Sequence, residues 1–295
     1  MIPAQHRYRP RNLNRQLYPE VLRLHNQGLG YRQIAERIWE THGLWLSRGL
    51  ISYWIRKIHT PFNDGSGRSS GGKRRSTSVD ELKPSRSLAF VTGVGFGDGY
   101  VCRSKDKSGW HYYVGTNVTD EDLAVAFAED LGNVLNRIPP RVRETIINGR
   151  RFYVVRVSSE VLYEVLKDKN IDRIRRFIEH SEETKAAFLR GFFDSEGCVS
   201  DKDVSAINSD VTVLKYAQRL LADLGIESTG PHLKKEAGTP IEINGRKYGT
   251  RKNVYYIYIC ANSLPIFLEK VGFTVEKKRR KLEGIVGQRQ LRLAK

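Results

Sequence analysis

Apolar residues recur at helical spacing in three short stretches near the start of the chain. Tyr18 to Asn26 carries Val21, Leu22 and Leu24, then meets Gln27-Gly28-Leu29-Gly30, a helix stop and turn. Tyr31 to Trp39 sets Tyr31, Ile34, Ala35 and Ile38 on one helical face. After a polar, Gly-containing break, Ser47 is placed to cap a third helix with Leu50, Ile51, Trp54, Ile55 and Ile58 inward. The pattern then stops. Residues 61–86 read PFNDGSGRSSGGKRRSTSVDELKPSR, too rich in Gly, Ser and charge to pack, and predict a flexible linker with a span of roughly 28 Å.

From Ser87 the pattern resumes, and it occurs twice. Leu88 to Gly99 (LAFVTGVGFGDG) matches Ala186 to Gly197 (AAFLRGFFDSEG). Ile147 to Phe152 (INGRRF) returns as Ile243 to Tyr248 (INGRKY), and Tyr153 to Leu166 returns as Tyr255 to Leu268: a strand, a polar pair, then an apolar helix. Between these landmarks each copy places an amphipathic helix, Glu121 to Leu135 and Val211 to Leu224. Landmarks in one order at similar spacing predict two copies of one α+β unit.

The first helix of each copy carries small residues one turn apart, Gly93 and Gly97 in one, Gly191 and Ser195 in the other. Such stripes let helix backbones approach closely, and the natural partner of one stripe is the other. Packed so, the helices end together and bring Asp98 and Glu196 side by side. The helix dipole already makes those ends negative, and neighbouring carboxylates repel. A divalent cation answers both problems; Mg²⁺ binds one or two carboxylates and completes its shell with water and phosphate oxygens.

Charge sharpens this picture. The chain of 295 residues has 50 Lys and Arg against 33 Asp and Glu, a net charge of +17, which points to a polyanionic partner. The excess lies at the ends and in the connector, while residues 87–274 are almost neutral. Three cysteines, Cys102, Cys198 and Cys260, fit a reducing interior and exclude a disulfide framework or a cysteine zinc site. No apolar run is long enough to span a membrane, and no secretory signal is expected.

Strand-like segments Gly109 to Thr116, Arg143 to Ser158, Asp201 to Asn208 and Arg246 to Cys260 alternate apolar with polar or basic residues. Arg143, Arg151 and Arg156 in the first copy are candidate contacts to such a polyanion. Lys234, Lys235, Arg246, Lys247 and Arg251 are those of the second.

Two family resemblances follow. Gly28 to Ala35 (GLGYRQIA) resembles the start of resolvase- and transposase-type helix-turn-helix domains, with Arg48, Arg56 and Lys57 making the third helix basic, although the insert Glu40 to Leu46 is longer than that family's turn. Val91 to Gly99 and Leu189 to Gly197 resemble the two copies of the LAGLIDADG motif, and Ser87 to Val286 is similar to a single-chain LAGLIDADG homing endonuclease. The implied fold is α+β: two pseudo-symmetric αββαββα repeats forming a DNA-binding saddle, preceded by a small all-α helix-turn-helix domain. The implied boundaries are 1–60, a linker 61–86, repeats 87–180 and 181–286, and a basic tail 287–295.

The resemblance further implies site-specific, metal-dependent cleavage of both strands of a long double-stranded DNA target by an intron-encoded monomer. Asp98 and Glu196 would hold Mg²⁺ or Mn²⁺ with the carbonyls of Gly97 and Ser195. Asn117 and Asn208 would order water, and Lys277 would stand near the scissile phosphate, with Lys169 as its nearest counterpart in the first repeat. The expected location is intracellular: cytoplasmic and nucleoid-associated. Two other readings remain open: a non-cleaving transcriptional regulator on the same scaffold, and a maturase that binds intron RNA.

Overall fold

The computed structural model describes residues 11–56, 60–61, 79–106, 109–243 and 246–293. Lys57, Ile58 and residues 62–78 of the expected linker lie outside them, as do the side chains of Arg246 and Lys247. The chain divides into two units, Met1–Arg74 and Arg75–Lys295.

The first unit contains α1 (Arg11–Asn26), α2 (Tyr31–His42) and α3 (Arg48–Ile55). Leu17, Val21 and Leu24 of α1 meet Ile34, Ala35 and Ile38 of α2, and Leu46, Ile51 and Trp54 complete this small core. Helix α1 begins at Arg11, ahead of Tyr18, which adds Leu17 to that core. Gly43 ends α2 with φ 62°, a left-handed conformation that glycine adopts without a Cβ penalty, and its amide donates to the Trp39 carbonyl at 2.8 Å. Ser47 caps α3 as its sequence suggests, its Oγ accepting from the Leu50 amide at 3.2 Å. Tyr31, expected inward, is exposed instead.

The second unit is built twice from one plan. Its first half runs α4 (Arg86–Phe96), β1 (Gly99–Asp106), β2 (Gly109–Val118), α5 (Glu121–Leu135), β3 (Arg143–Ile147), β4 (Arg150–Ser158), α6 (Glu160–Leu166) and α7 (Ile171–Ile178). Its second half begins α8 (Glu182–Glu196), β5 (Gly197–Val199), β6 (Val204–Asn208), α9 (Val211–Asp223) and β7 (Ser228–Lys235). There follow the hairpin β8 (Pro240–Ile243) and β9 (Arg246–Gly249), then β10 (Val254–Ile259), α10 (Leu264–Lys270) and α11 (Glu276–Leu293). The antiparallel sheets have matching orders, β1-β2-β4-β3 and β5-β6-β10-β7, with β8-β9 as a separate two-stranded addition to the second half. This is the mixed α/β fold of two sheets and helices expected from the duplication.

Serine caps start the structural helices: Ser85 accepts from the Leu88 amide at 3.1 Å, and Ser181 from the Thr184 amide at 3.2 Å. Helices α4 and α8 then pack backbone to backbone along their small-residue stripes. A Cβ on Gly93 would overlap the Phe188 carbonyl oxygen, and one on Gly191 would lie 2.5 Å from that of Phe90. Around this pair, one continuous core gathers Phe96, Phe127, Phe188, Phe192, Phe193 and Phe267 with the inner faces of both sheets.

Two expected boundaries are corrected. Val79 and Leu82 pack on this core, and Arg176 donates to the Val79 carbonyl at 3.0 Å and pairs with Asp80 at 2.9 Å. Residues 79–86 therefore belong to the folded body and not to a linker. At the other end α11 continues through Leu293, so the expected tail 287–295 is helical over most of its length. Among the described residues, no helix is long and apolar enough to cross a membrane.

Candidate active site

The close packing of α4 and α8 makes their C-termini neighbours. Asp98 follows Gly97, the C-cap of α4, and Glu196 is the last residue of α8. A Cβ on Gly97 would overlap that of Ser195, so both turns are held against each other. Burial pushes the Glu196 carboxyl up to about 7, and the negative charge of Asp98 adds to the rise. Asp98 is open to solvent on one side, yet the loss of water around it also raises its pKa, against the pull of Lys278 and Lys169. Asn208 hydrogen-bonds Glu196, and its Oδ1 also accepts from the Asp210 amide at 2.8 Å.

Two lysines stand at these helix ends. The Lys169 ammonium donates to the Phe96 and Gly97 carbonyls at 2.9 and 3.0 Å, at the end of α4. The Lys278 ammonium donates to the Asp194 and Phe193 carbonyls at 2.6 and 3.4 Å, at the end of α8. Lys169 reaches carbonyls at the very end of α4, and Lys278 reaches that of Asp194 while sharing the Phe193 carbonyl with the Gly197 amide; each neutralises the negative end of its helix dipole. Desolvation lowers the pKa of both ammonium groups, while nearby acids oppose it.

The expectation at Lys277 is therefore corrected by one residue. Lys277 is mostly exposed (69%) and pairs with Asp120 at 2.6 Å. Successive side chains on a helix point about 100° apart, so only one of this adjacent pair can face the acids. It is Lys278. The Gly97 carbonyl already accepts from Lys169, and the Ser195 hydroxyl donates to the Gly191 carbonyl at 3.1 Å.

Asn117 and Asn208 are not equivalent. Gly99 pairs with Thr116 and Gly197 with Ala206, while Val118 pairs with Tyr153 and Asn208 with Tyr255. Val118, buried, thus occupies the first repeat's Asn208 position. Asn117 lies on the opposite, exposed face, which the strand register carries level with Asp98.

Among the described residues, no three His, Cys, Asp or Glu cluster as a metal cage. A pair of all-oxygen donors with raised pKa values instead fits a hard divalent ion that keeps most of its own water, such as Mg²⁺ or Mn²⁺.

The strand register also sorts the basic candidates. Val155 is fully buried and Tyr153 nearly so against the helices, which turns Arg150, Phe152, Val154 and Arg156 to the other, open face of the first sheet. Arg156 lies over the Tyr113 ring at 4.3 Å, and Arg143, opposite Val154, shares this face. Arg151 points to the helix side and pairs with Glu144 at 3.0 Å, so it is removed as a contact on the open face, and Arg150 replaces it. In the second sheet Ile257 and Ile259 face inward, leaving Tyr256 and Tyr258 outward, with His232 against Tyr256 at 5.3 Å. Lys235 pairs with Val254, Lys234 falls at a register shift, and Arg251 is exposed in the following turn. In the first unit, Arg48 opens α3 and Arg56 follows it, both exposed.

Comparison with known proteins adds four findings. Residues 183–272 match the model of a LAGLIDADG-like domain. The chain is 30% identical over 268 residues to the uncharacterized protein MJ0398 of Methanocaldococcus jannaschii, covering 90% of this chain and 91% of that one. It is 26% identical over 143 residues to the homing endonuclease I-DmoI of Desulfurococcus mucosus, covering 48% of this chain and 72% of that one. The structure of I-DmoI in complex with DNA and Ca is similar in fold, with a TM-score of 0.50 and 22% identity, covering 68% of this chain and 97% of I-DmoI.

Proposed function

We propose that this chain, which matches a LAGLIDADG-like domain over residues 183–272, is a site-specific homing endonuclease that cuts both strands of a long DNA target. One observation carries the reading: both motif helices lead into an acid, the acids adjoin, and an ammonium group sits on the carbonyls at each helix end. A structural helix pair has no need of two carboxylates at the negative ends of two dipoles, where burial raises the pKa of both.

Asp98 and Glu196 would hold Mg²⁺ or Mn²⁺, which, when bound, supplies positive charge to the phosphate and makes a bound water more acidic. The chain's own groups do the rest. Asn208 orients Glu196, and Lys169 and Lys278 keep positive charge beside the acids, where negative charge grows on the phosphate as the P–O bond breaks. The open sheet faces bind the duplex, Arg143, Arg150, Arg156 and Lys235 reaching phosphates or base edges beside the Tyr113 and Tyr256 aromatic surfaces. With both motifs in one chain, a monomer suffices, acting inside the cell on genomic DNA. The three-helix unit serves as a tethered helix-turn-helix that adds a second DNA contact through Arg48 and Arg56.

Incubation with a genomic DNA library and Mg²⁺, followed by sequencing of the ends, tests this directly. Ends at one site, lost in chelator, are expected. Tight binding of a unique site without ends would instead make the protein a regulator, and preference for intron RNA would make it a maturase. Deleting residues 1–78 should leave a folded nuclease with weaker binding, a shallower salt dependence and a footprint shortened on one side.

A further inference from the structure

Asp194 is a buried carboxylate for which cleavage has no direct use. It is 1% exposed on the last turn of α8. The first repeat has Phe96 at this place, also fully buried, so filling the position does not require an acid. A carboxylate here loses its water where the first repeat is apolar, a cost that only its own hydrogen bonds offset.

Its partners explain its presence. Asp194 accepts from the Thr274 amide, at 3.0 Å to both oxygens, and from the Val275 amide at 3.1 Å. The next amide, Glu276, donates to Asp122 of α5, in the first repeat, at 2.6 Å. These three consecutive N–H groups lead into α11 and would otherwise lack partners at a helix start. The first turn of α11 carries Lys278, whose ammonium returns to the Asp194 and Phe193 carbonyls. Lys169 has no such clamp: its turn places Asp168 and Lys169 at φ 65° and 46°.

We propose that Asp194 and Asp122 are positioning residues for Lys278: gripping three consecutive amides from both repeats, they fix where its ammonium stands beside Asp98 and Glu196. The proposal rests on the nuclease reading for its effect on rate, but not for its effect on Lys278 itself. Because Asp122 comes from the other repeat, Lys278 stands correctly only while the two repeats remain docked.

The test combines single-turnover cleavage, DNA affinity and thermal melting for D122N, D194N and K278M, and for D122N and D194N each joined to K278M or to K169M. Each positioning variant should slow cleavage by about 10- to 100-fold with DNA affinity unchanged. Added to K278M, it should slow cleavage no further; added to K169M, its loss should multiply. A full multiplicative loss on top of K278M, or a lower melting temperature at unchanged rate, would overturn the proposal. Should D194N fail to fold, D122N at the half-buried partner carries the same comparison. A second arm needs no cleavage: lysine acetylation followed by mass spectrometry. Lys278 should become several-fold more reactive in D122N while Lys169 does not. Equal reactivity of Lys278 in both proteins would overturn the proposal even if no DNA were ever cut, whereas absence of ends with a Lys278-specific rise would sink only the nuclease reading.

Discussion

At the end of α4 the first repeat brings in Lys169 through a short turn with two consecutive residues at positive φ, Asp168 and Lys169. At the end of α8 the second repeat brings in Lys278 on an eighteen-residue helix whose head is held by Asp194 and Asp122. The first device stores backbone strain, since non-glycine residues are rarely left-handed; the second buries a carboxylate. Two copies of one unit thus reach the same result, an ammonium on helix C-terminal carbonyls beside an acid, by unrelated local means. What they share is the charge arrangement and not the segment that delivers it. A requirement of the site, imposed twice on diverged segments, accounts for that better than a requirement of the fold.

The largest expected effect comes from the acids. D98N and E196Q should each lower cleavage of at least one strand by about 10³-fold or more while leaving DNA affinity intact. A strand-resolved assay breaks the comparison if either variant loses both strands equally, because the repeats would then act as one centre. Next is the helix pair that brings them together. G93A forces a Cβ into the Phe188 carbonyl and should cost about 3 kcal/mol or more by denaturant unfolding. Gly284, on α11 with open space around its Cβ position, is the control: G284A should raise stability by up to about 1 kcal/mol. A similar loss in both would mean that α4 and α8 do not approach as closely as described.

Much of this arrangement was legible in the chain, and its gaps have physical causes. The two acids, the small-residue stripes and α5 (Glu121–Leu135) follow from periodicity and repetition. Strand β1 (Gly99–Asp106) is hidden in the sequence because it shows no alternation: three half-buried residues lead into a fully exposed run. Helix α7 carries a signal of its own, Ile171, Ile174, Phe177 and Ile178 on one face. Neighbouring basic residues defeated sequence reading twice. Lys277 and Lys278 are distinguished only by the phase of α11, which is set by acids far away in the chain, Asp120 and Asp122. Alternation with the inward residues Tyr153 and Val155 is what separates Arg150 from Arg151. Asp194 stood in plain view as the departure from Phe96, but its amide partners lie some 80 residues on.

A third prediction concerns charge at the acid pair without metal. Glu196 is raised to about 7 in the folded protein, so the folded state holds its proton more tightly than the unfolded chain does. Stability in chelator should therefore fall as pH rises from about 4.5 to about 7, by on the order of 2 kcal/mol. Asp194, raised to about 6, contributes the same sign below that value. The difference between wild type and E196Q above about pH 6 isolates Glu196: the variant should be flat there and the wild type should not. Since Mg²⁺ needs the ionised acid, its stabilising effect should grow through the same window. Parallel melting curves for the two proteins would mean that Glu196 titrates normally and is not pressed by Asp98.

The smallest effect separates the two faces of one strand. Arg150 and Arg156 face the open side of the first sheet, Arg156 lying over Tyr113, whereas Arg151 faces the helix side and holds Glu144. If the open face carries the duplex, R150A and R156A should each reduce the slope of log K against log salt by about 1, the loss of one released counterion. R151A should leave the slope unchanged, because an exposed ion pair such as Arg151–Glu144 contributes little and contacts no phosphate. Three titrations on a mapped target decide the matter, with each variant first shown to melt like the wild type. A loss for Arg151 equal to that for Arg150 would mean that DNA wraps the sheet edge and not its open face, and the register argument that sorted these three arginines would fail with it.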